Sequence, residues 1–291
     1  MLREQQFWVL GGDMRQAKLA QLLAKDGHRV HTFALEEAVI PERGLTVDEN
    51  LRLVERGDCI ILPLPVCGEE GMLNTSLSSL EVTVESVLDA LSGNQIICGG
   101  RVDEETAAAA RVRELTIYDY FAREELAVDN AVPTAEGCIQ IAMEHLPITI
   151  HEARVLVVGY GRVGKMTAQR MGALGAKVSV AARRYEQLAW AQAMGFGTER
   201  VDQLAGWLCS YDLVVNTVPS MVLGRVELSD LRSDCLIIDL ASKPGGVDME
   251  AAAQLGRTVI WALSLPGKVA PITAGAAIKS TIYNILHETD S

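Results

Sequence analysis

The feature that most constrains this chain lies near its middle. There the apolar run Val155-Leu156-Val157-Val158 leads straight into Gly159-Tyr160-Gly161-Arg162-Val163-Gly164-Lys165. The first glycine of such a turn permits a sharp change of direction, the second lets a ligand approach the backbone, and the third lets the following helix pack closely. The first amides of that helix lack intrahelical partners and carry its positive end, which suits a pyrophosphate. Glycines at this spacing are weak evidence alone. Here a strand at 154–158, a helix at 163–174 and a second strand at 177–181 stand around them in the expected order. The spacing predicts a dinucleotide-binding domain that begins near residue 152, so the preceding half of the chain must build something else.

With 291 residues, 49% of them hydrophobic, the chain has length and apolar content for two ordinary domains. A formal charge of -12 argues against nucleic acid or an anionic membrane as the main partner and leaves an anionic ligand in need of a local basic pocket. No apolar run reaches the ~20 residues that span a bilayer, and the opening Met1-Leu2-Arg3-Glu4-Gln5-Gln6 lacks the apolar core of a signal peptide, so a cytoplasmic protein is expected. Cys59, Cys67, Cys98, Cys138, Cys209 and Cys235 form no CxxC pair and read as buried, reduced thiols, with no metal site.

The first half alternates strands and helices. Strands are expected at 7–10, 29–33, 59–62 and 95–98, with a shorter one at 115–118, and helices follow Gly11-Gly12 and cover 104–112. These place an α/β domain over residues 1–132. Residues 133–151 read as an interdomain helix at 134–144, starting after Pro133, with a linker at Pro147. Residues 152–264 form the Rossmann domain, with further strands at 213–217, 236–240 and 258–263. Within 265–291, a loop constrained by Pro266 and Pro271 precedes a helix over 272–288. The fold class is α/β, with two Rossmann-like parallel-sheet domains.

After the second strand of the dinucleotide unit stands Arg183-Arg184, where an NAD site would place a carboxylate for the ribose hydroxyls. Guanidinium groups suit a 2′-phosphate, so NADP is favoured, with NAD left open and surface solvation the plain alternative for Arg184. Gly159, Gly161, Arg162, Val163 and Gly164 form the phosphate turn. Asn216, Thr217, Pro219, Asp239 and Ser242 follow later strands and are candidates to line the nicotinamide and ribose.

Three clusters are candidates for substrate chemistry. Arg15, beside a helix start, either grips a carboxylate or serves local structure, and Asp13 either caps that helix or holds the arginine. Thr134 either caps a helix or faces the site with Glu136. Lys268 meets a carboxylate or moves a proton, while Thr273 is placed to cap the final helix. Arg101, after Gly99-Gly100, is a further anion candidate. None of His28, His31, His145, His151 and His287 occupies a convincing catalytic turn. His28 and His31 read as edge-strand residues, and His145 and His151 as flanks of the Pro147 loop.

Several segments and their order resemble the A-subunit family of bacterial dipicolinate synthase. They are Gly11-Gly-Asp-Met-Arg-Gln16, Pro133-Thr-Ala-Glu-Gly137, Val157-Val-Gly-Tyr-Gly-Arg-Val-Gly-Lys-Met166, Asn216-Thr-Val-Pro-Ser220, Asp239-Leu-Ala-Ser-Lys-Pro-Gly-Gly246 and Leu265-Pro-Gly-Lys-Val-Ala-Pro271. The resemblance implies oxidation of a dihydrodipicolinate, derived from 4-hydroxytetrahydrodipicolinate of the lysine route, to dipicolinate in the mother-cell cytoplasm of a sporulating bacterium. Its implied partner is a flavoprotein-like B subunit, which would carry any flavin, since no flavin motif is evident here. It also favours placing the C-terminal helix back on the first domain. Arg15, Lys268 and Thr134 are then expected to orient the substrate's carboxylates, with Glu136 as proton acceptor and Lys268 as the competing choice. Self-association stays open. So do two other readings: a broader amino-acid or hydroxy-acid dehydrogenase, and a noncatalytic NADP-sensing assembly subunit.

Overall fold

The computed structural model describes residues 5–289 and divides into two units, one comprising the chain up to Asn130 together with the segment from Ala270, the other Ala131–Val269. The first unit runs β1 (Gln6–Leu10), α1 (Met14–Lys25), β2 (Arg29–Phe33), β3 (Leu45–Val47), β4 (Cys59–Ile61), α2 (Val84–Asp89), β5 (Ile96–Gly99), α3 (Glu104–Val112) and β6 (Ile117–Asp119). Helix α4 (Glu124–His145) leads out of it. The second unit runs β7 (Arg154–Val158), α5 (Arg162–Ala173), β8 (Lys177–Ala182), α6 (Tyr185–Ala193), β9 (Gly197–Arg200), β10 (Leu213–Asn216), α7 (Arg225–Asp230), β11 (Leu236–Asp239), α8 (Met249–Gln254), β12 (Thr258–Trp261) and α9 (Leu265–Val269). Helix α10 (Pro271–Thr289) returns to the first unit. Among the described residues no helix is long and apolar enough to cross a membrane.

Both sheets are parallel, in the orders β3-β2-β1-β4-β5-β6 and β12-β11-β10-β7-β8-β9. Numbered within its own unit, each is the doubly wound Rossmann order, with the order of strands reversing between β1 and β4 and between β7 and β10. Parallel strands covered on both faces read as unbroken apolar runs, and these show why. Phe7 and Val9 enter one core while Trp8 and Leu10 enter another. Val155 and Val157 are likewise divided from Leu156 and Val158.

Helix α10 buries Ala277, Ile278, Ile282, Ile285 and Leu286 in the cluster that holds Phe7, Val9, Ala17, Leu19 and Leu23. Each large aliphatic side chain so buried contributes roughly 1.5–3 kcal/mol against exposure. The approach to α1 is close enough to require glycine: a Cβ at Gly275 would lie 2.9 Å from the Arg15 carbonyl oxygen and 3.0 Å from the Leu19 nitrogen. Polar contacts finish the seam. Lys279 Nζ and the Tyr283 hydroxyl both donate to Asp26 Oδ2, at 2.6 and 2.9 Å.

Several local expectations are corrected. Helix α4 begins at Glu124 and passes through Pro133, so Thr134 lies ten residues inside it and is not its N-cap. An interior proline costs about 3 kcal/mol, but Leu126, Ala131, Ala135, Cys138 and Ala142 continue one buried face through it. The stretch expected as a loop at 265–271 forms α9, because Pro266 falls in a first turn, where a missing amide loses no bond. Helix α10 already starts at Pro271, which puts Thr273 inside it. Strand β2 is not an edge: β3 covers it, His31 stacks on Trp8 and its Nδ1 lies 2.7 Å from Asp48 Oδ2. Of the six thiols, Cys59, Cys98, Cys138 and Cys235 are buried, Cys67 is half-buried and Cys209 is exposed.

Candidate functional site

The three glycines between β7 and α5 are required for three different reasons. Gly159 has φ +96° and would press a side chain onto Thr217 Oγ1, which itself donates to the Val158 carbonyl at 2.9 Å. Gly164 faces the Gly159 carbonyl so closely that a Cβ would overlap it. Gly161 is ordinary in backbone conformation, and a Cβ there would meet no protein atom within 4 Å. That open space lies at the N-cap of α5, where no side chain caps the first turn. The amides around Arg162, Val163 and Gly164 thus open a helix end at an unfilled turn, which fits a pyrophosphate. Gln187 Nε2 donates to the Tyr160 carbonyl at 3.4 Å, tying the turn to α6.

At the carboxyl ends of β10 and β11 the structure turns two candidates inward. Asn216 and Asp239 are essentially fully buried, with Asn216 Nδ2 donating to Asp239 Oδ1 at 2.8 Å. Asn216 Oδ1 accepts from the Val218 amide at 3.0 Å, while Asp239 accepts from the Ala241 and Gly246 amides at 3.0 and 2.9 Å. These contacts make the pair a brace for the two loops that carry Pro219 and Ser242, both exposed. Thr217 bonds across to β7 and so positions the glycine turn.

Past β8, Arg183 and Arg184 are exposed. Arg184 stands at the N-cap of α6 and pairs with Glu186 at 2.9 Å. A third arginine, which sequence reasoning missed, comes from β9: Arg200 is the register partner of Ala182. Its guanidinium lies 4.7 Å from the centre of the Tyr185 ring and grips Asp202 through Nε at 2.8 Å and an Nη at 2.5 Å. The segment Gly195-Phe-Gly-Thr-Glu-Arg200 has no apolar run, so only strand pairing reveals the position.

In the first unit, Asp13 caps α1 by accepting the Arg15 amide at 2.9 Å, and it also holds the guanidinium. Arg15 is 7% exposed; its Nε and Nη2 are taken by Asp13, with Nη2 reaching the Leu64 carbonyl at 3.1 Å. Arg101 has φ +54°, its amide is fixed by Asp119 Oδ1 at 3.0 Å and its side chain is exposed. Buried Tyr120 donates to the Leu62 carbonyl and accepts from Gln16, and burial pushes its phenol well above the ordinary range.

In the second unit, Glu136 is exposed on α4, 3.6 Å from Arg170 Nε. Leu265 of α9 packs on Gly137, where a Cβ would sit 3.2 Å from it. Lys268 is exposed one turn further along α9, so Glu136 and Lys268 belong to neighbouring elements of one unit. Thr134 lies on α4 two residues before Glu136.

Such a turn, sheet order and helix end define a dehydrogenase-type, nicotinamide-dinucleotide-binding α/β protein, and residues 117–248 match the D-isomer specific 2-hydroxyacid dehydrogenase NAD binding domain. Residues 6–121 match the N-terminal domain of the dipicolinate synthase A-subunit. The chain is 34% identical to the dipicolinate synthase A-subunit of Bacillus subtilis over 287 residues, 96% of this chain and 95% of that one. It belongs to the dipicolinate synthase A-subunit family. The crystal structure of the B. subtilis A-subunit superposes with a TM-score of 0.89 at 33% identity, covering 99% of this chain and 97% of that one. The A-subunit structure from Bacillus halodurans gives 0.89 at 31% identity, covering 98% and 99%.

Proposed function

We propose that this chain oxidises dihydrodipicolinate, formed by loss of water from 4-hydroxytetrahydrodipicolinate, to dipicolinate (pyridine-2,6-dicarboxylate), with NADP as hydride acceptor. Its likeness to the dipicolinate synthase A-subunit along nearly the whole chain carries the reading. The open pyrophosphate turn supports a dinucleotide, and Arg183 directly after β8, where an NAD site would place a carboxylate, favours the 2′-phosphorylated form. A relative described as one lettered subunit of a synthase supports a partner, which we take to be a flavoprotein-like B subunit in the cytoplasm of a sporulating cell.

When bound, the nicotinamide supplies the hydride acceptor. Around it, Gly159, Gly161 and Gly164 shape the pyrophosphate seat, while Asn216, Asp239 and Thr217 hold the loops that bear Pro219 and Ser242. Glu136 accepts the ring proton that leaves as the substrate becomes aromatic, so that one hydride and one proton depart together. Lys268 and Thr134 orient a substrate carboxylate.

The test supplies freshly generated 4-hydroxytetrahydrodipicolinate and NADP, with and without the flavoprotein partner, and follows dipicolinate and NADPH. Equal amounts of the two products from this chain alone are expected. Dipicolinate formed only with the partner would move the chemistry to the complex. NADP binding with no turnover in either case would leave a sensing role.

A further inference from the structure

The carboxyl edge of β8 and β9 carries more charge than the dinucleotide turn alone explains. Arg183 follows Ala182 directly, and Arg200 is paired in register with Ala182 on the neighbouring strand. Adjacent strands are ~5 Å apart, so the two arginines stand at the same end of neighbouring strands, and the charge of Arg183 is felt at Asp202. Asp202 follows two residues after Arg200. It accepts two hydrogen bonds from Arg200, and its carboxyl is held below the ordinary range by those bonds, against some desolvation, with Arg183 adding to the effect. The exposed Tyr185 ring underlies the Arg200 guanidinium and fixes its plane. Arg184 pairs with Glu186 Oε1 through Nη1 at 2.9 Å, on the exposed N-cap of α6.

We propose that Arg200 and Arg183 form the 2′-phosphate subsite of the dinucleotide, with Tyr185 as the platform for Arg200 and Asp202 as an internal carboxylate that the phosphate displaces. A guanidinium fork that grips a carboxylate through two nitrogens presents the same donors to a phosphate. The phosphate monoester brings the larger negative charge, so exchange at an exposed fork is favoured once a second arginine adjoins it. This inference rests on the NADP reading above and assigns the residues that would enforce it.

Calorimetric titration of the full chain with 2′,5′-ADP and with 5′-ADP separates the two claims without any turnover. The unsubstituted chain is expected to bind 2′,5′-ADP at least about tenfold more tightly, a difference of ~1.4 kcal/mol. Arg200→Ala should remove most of that preference and leave 5′-ADP affinity unchanged. Arg200→Lys, which keeps the charge but not the fork, should recover part of it. Asp202→Asn should tighten 2′,5′-ADP binding, because the phosphate no longer competes with a charged rival. Circular dichroism melting of each variant distinguishes a lost ligand from a lost fold, and Asp202→Asn carries the test if Arg200→Ala is unstable. Equal affinity of the unsubstituted chain for both nucleotides would overturn the NADP reading itself. A preference abolished by Arg183→Ala but untouched by Arg200→Ala would leave that reading intact and overturn this one. Weaker binding of both nucleotides by Asp202→Asn would make Asp202 a ribose ligand and likewise overturn it.

Discussion

A methyl group at Gly164 would run into the Gly159 carbonyl, whereas one at Gly161 meets no protein atom within 4 Å. The two glycines are therefore held by different constraints, although the motif presents them alike. Gly164→Ala is expected to lower stability by about 1–3 kcal/mol, since the turn must shift to admit it, which urea unfolding will read as a lower midpoint. Gly161→Ala should keep that midpoint and lose at least about tenfold in NADP affinity by calorimetry; normal affinity would show that the phosphates lie elsewhere. For the proton step, Glu136→Gln should slow single-turnover hydride transfer from the dihydro substrate by roughly 10²–10⁴. Unchanged transfer across pH would remove Glu136 as the base, and unchanged substrate affinity and turnover in Lys268→Met would remove Lys268 from carboxylate binding. The turn's glycines are legible because their spacing and the apolar strand before them lie in consecutive residues. Arg200 is not, because its meaning comes from Ala182 on another strand.

At the scale of elements, the seam between α1 and α10 carries a pH signature. Burial pushes the Asp26 carboxyl up, but hydrogen bonds from Lys279 and Tyr283 outweigh it and hold the group below its ordinary value. A carboxylate depressed in the folded state contributes stability above the unfolded value near ~3.9 and loses it as pH falls through the folded value. Asp26→Asn should therefore lower the melting temperature at pH 7, by an amount equivalent to less than about 1 kcal/mol for a pair this close to the surface. The gap to the unsubstituted chain should narrow below pH 4, and a gap that is constant from pH 7 to 3.5 would sink the assignment. Element type was readable where apolar runs were unbroken, as in β1, β7 and β10. Helix α4 runs through Pro133 instead of starting after it: the local cost of a proline is visible in sequence, while the buried face that offsets it is not.

At the scale of the whole molecule, two doubly wound sheets have separate hydrophobic cores, and the proposed dinucleotide residues all lie in the second unit. Saturation with NADP at about 100 times its Kd should stabilise that unit by ~2.7 kcal/mol. Hydrogen exchange should then slow around residues 159–165 and 183–202 and stay unchanged in α1 and α10; equal protection of both units would contradict a cofactor seat confined to the second. The sequence by itself determined the fold class, the place of the dinucleotide turn and the family, because strands buried on both faces and glycine turns are written in consecutive residues. Tertiary structure alone decided that Asn216 and Asp239 brace each other, that Arg15 is locked by Asp13 and Leu64, and that α10 meets α1 at Gly275. It also placed Arg200 beside the end of β8. Most of these depend on pairs of residues distant along the chain, whose burial and hydrogen bonding exist only once strand order and helix docking are set.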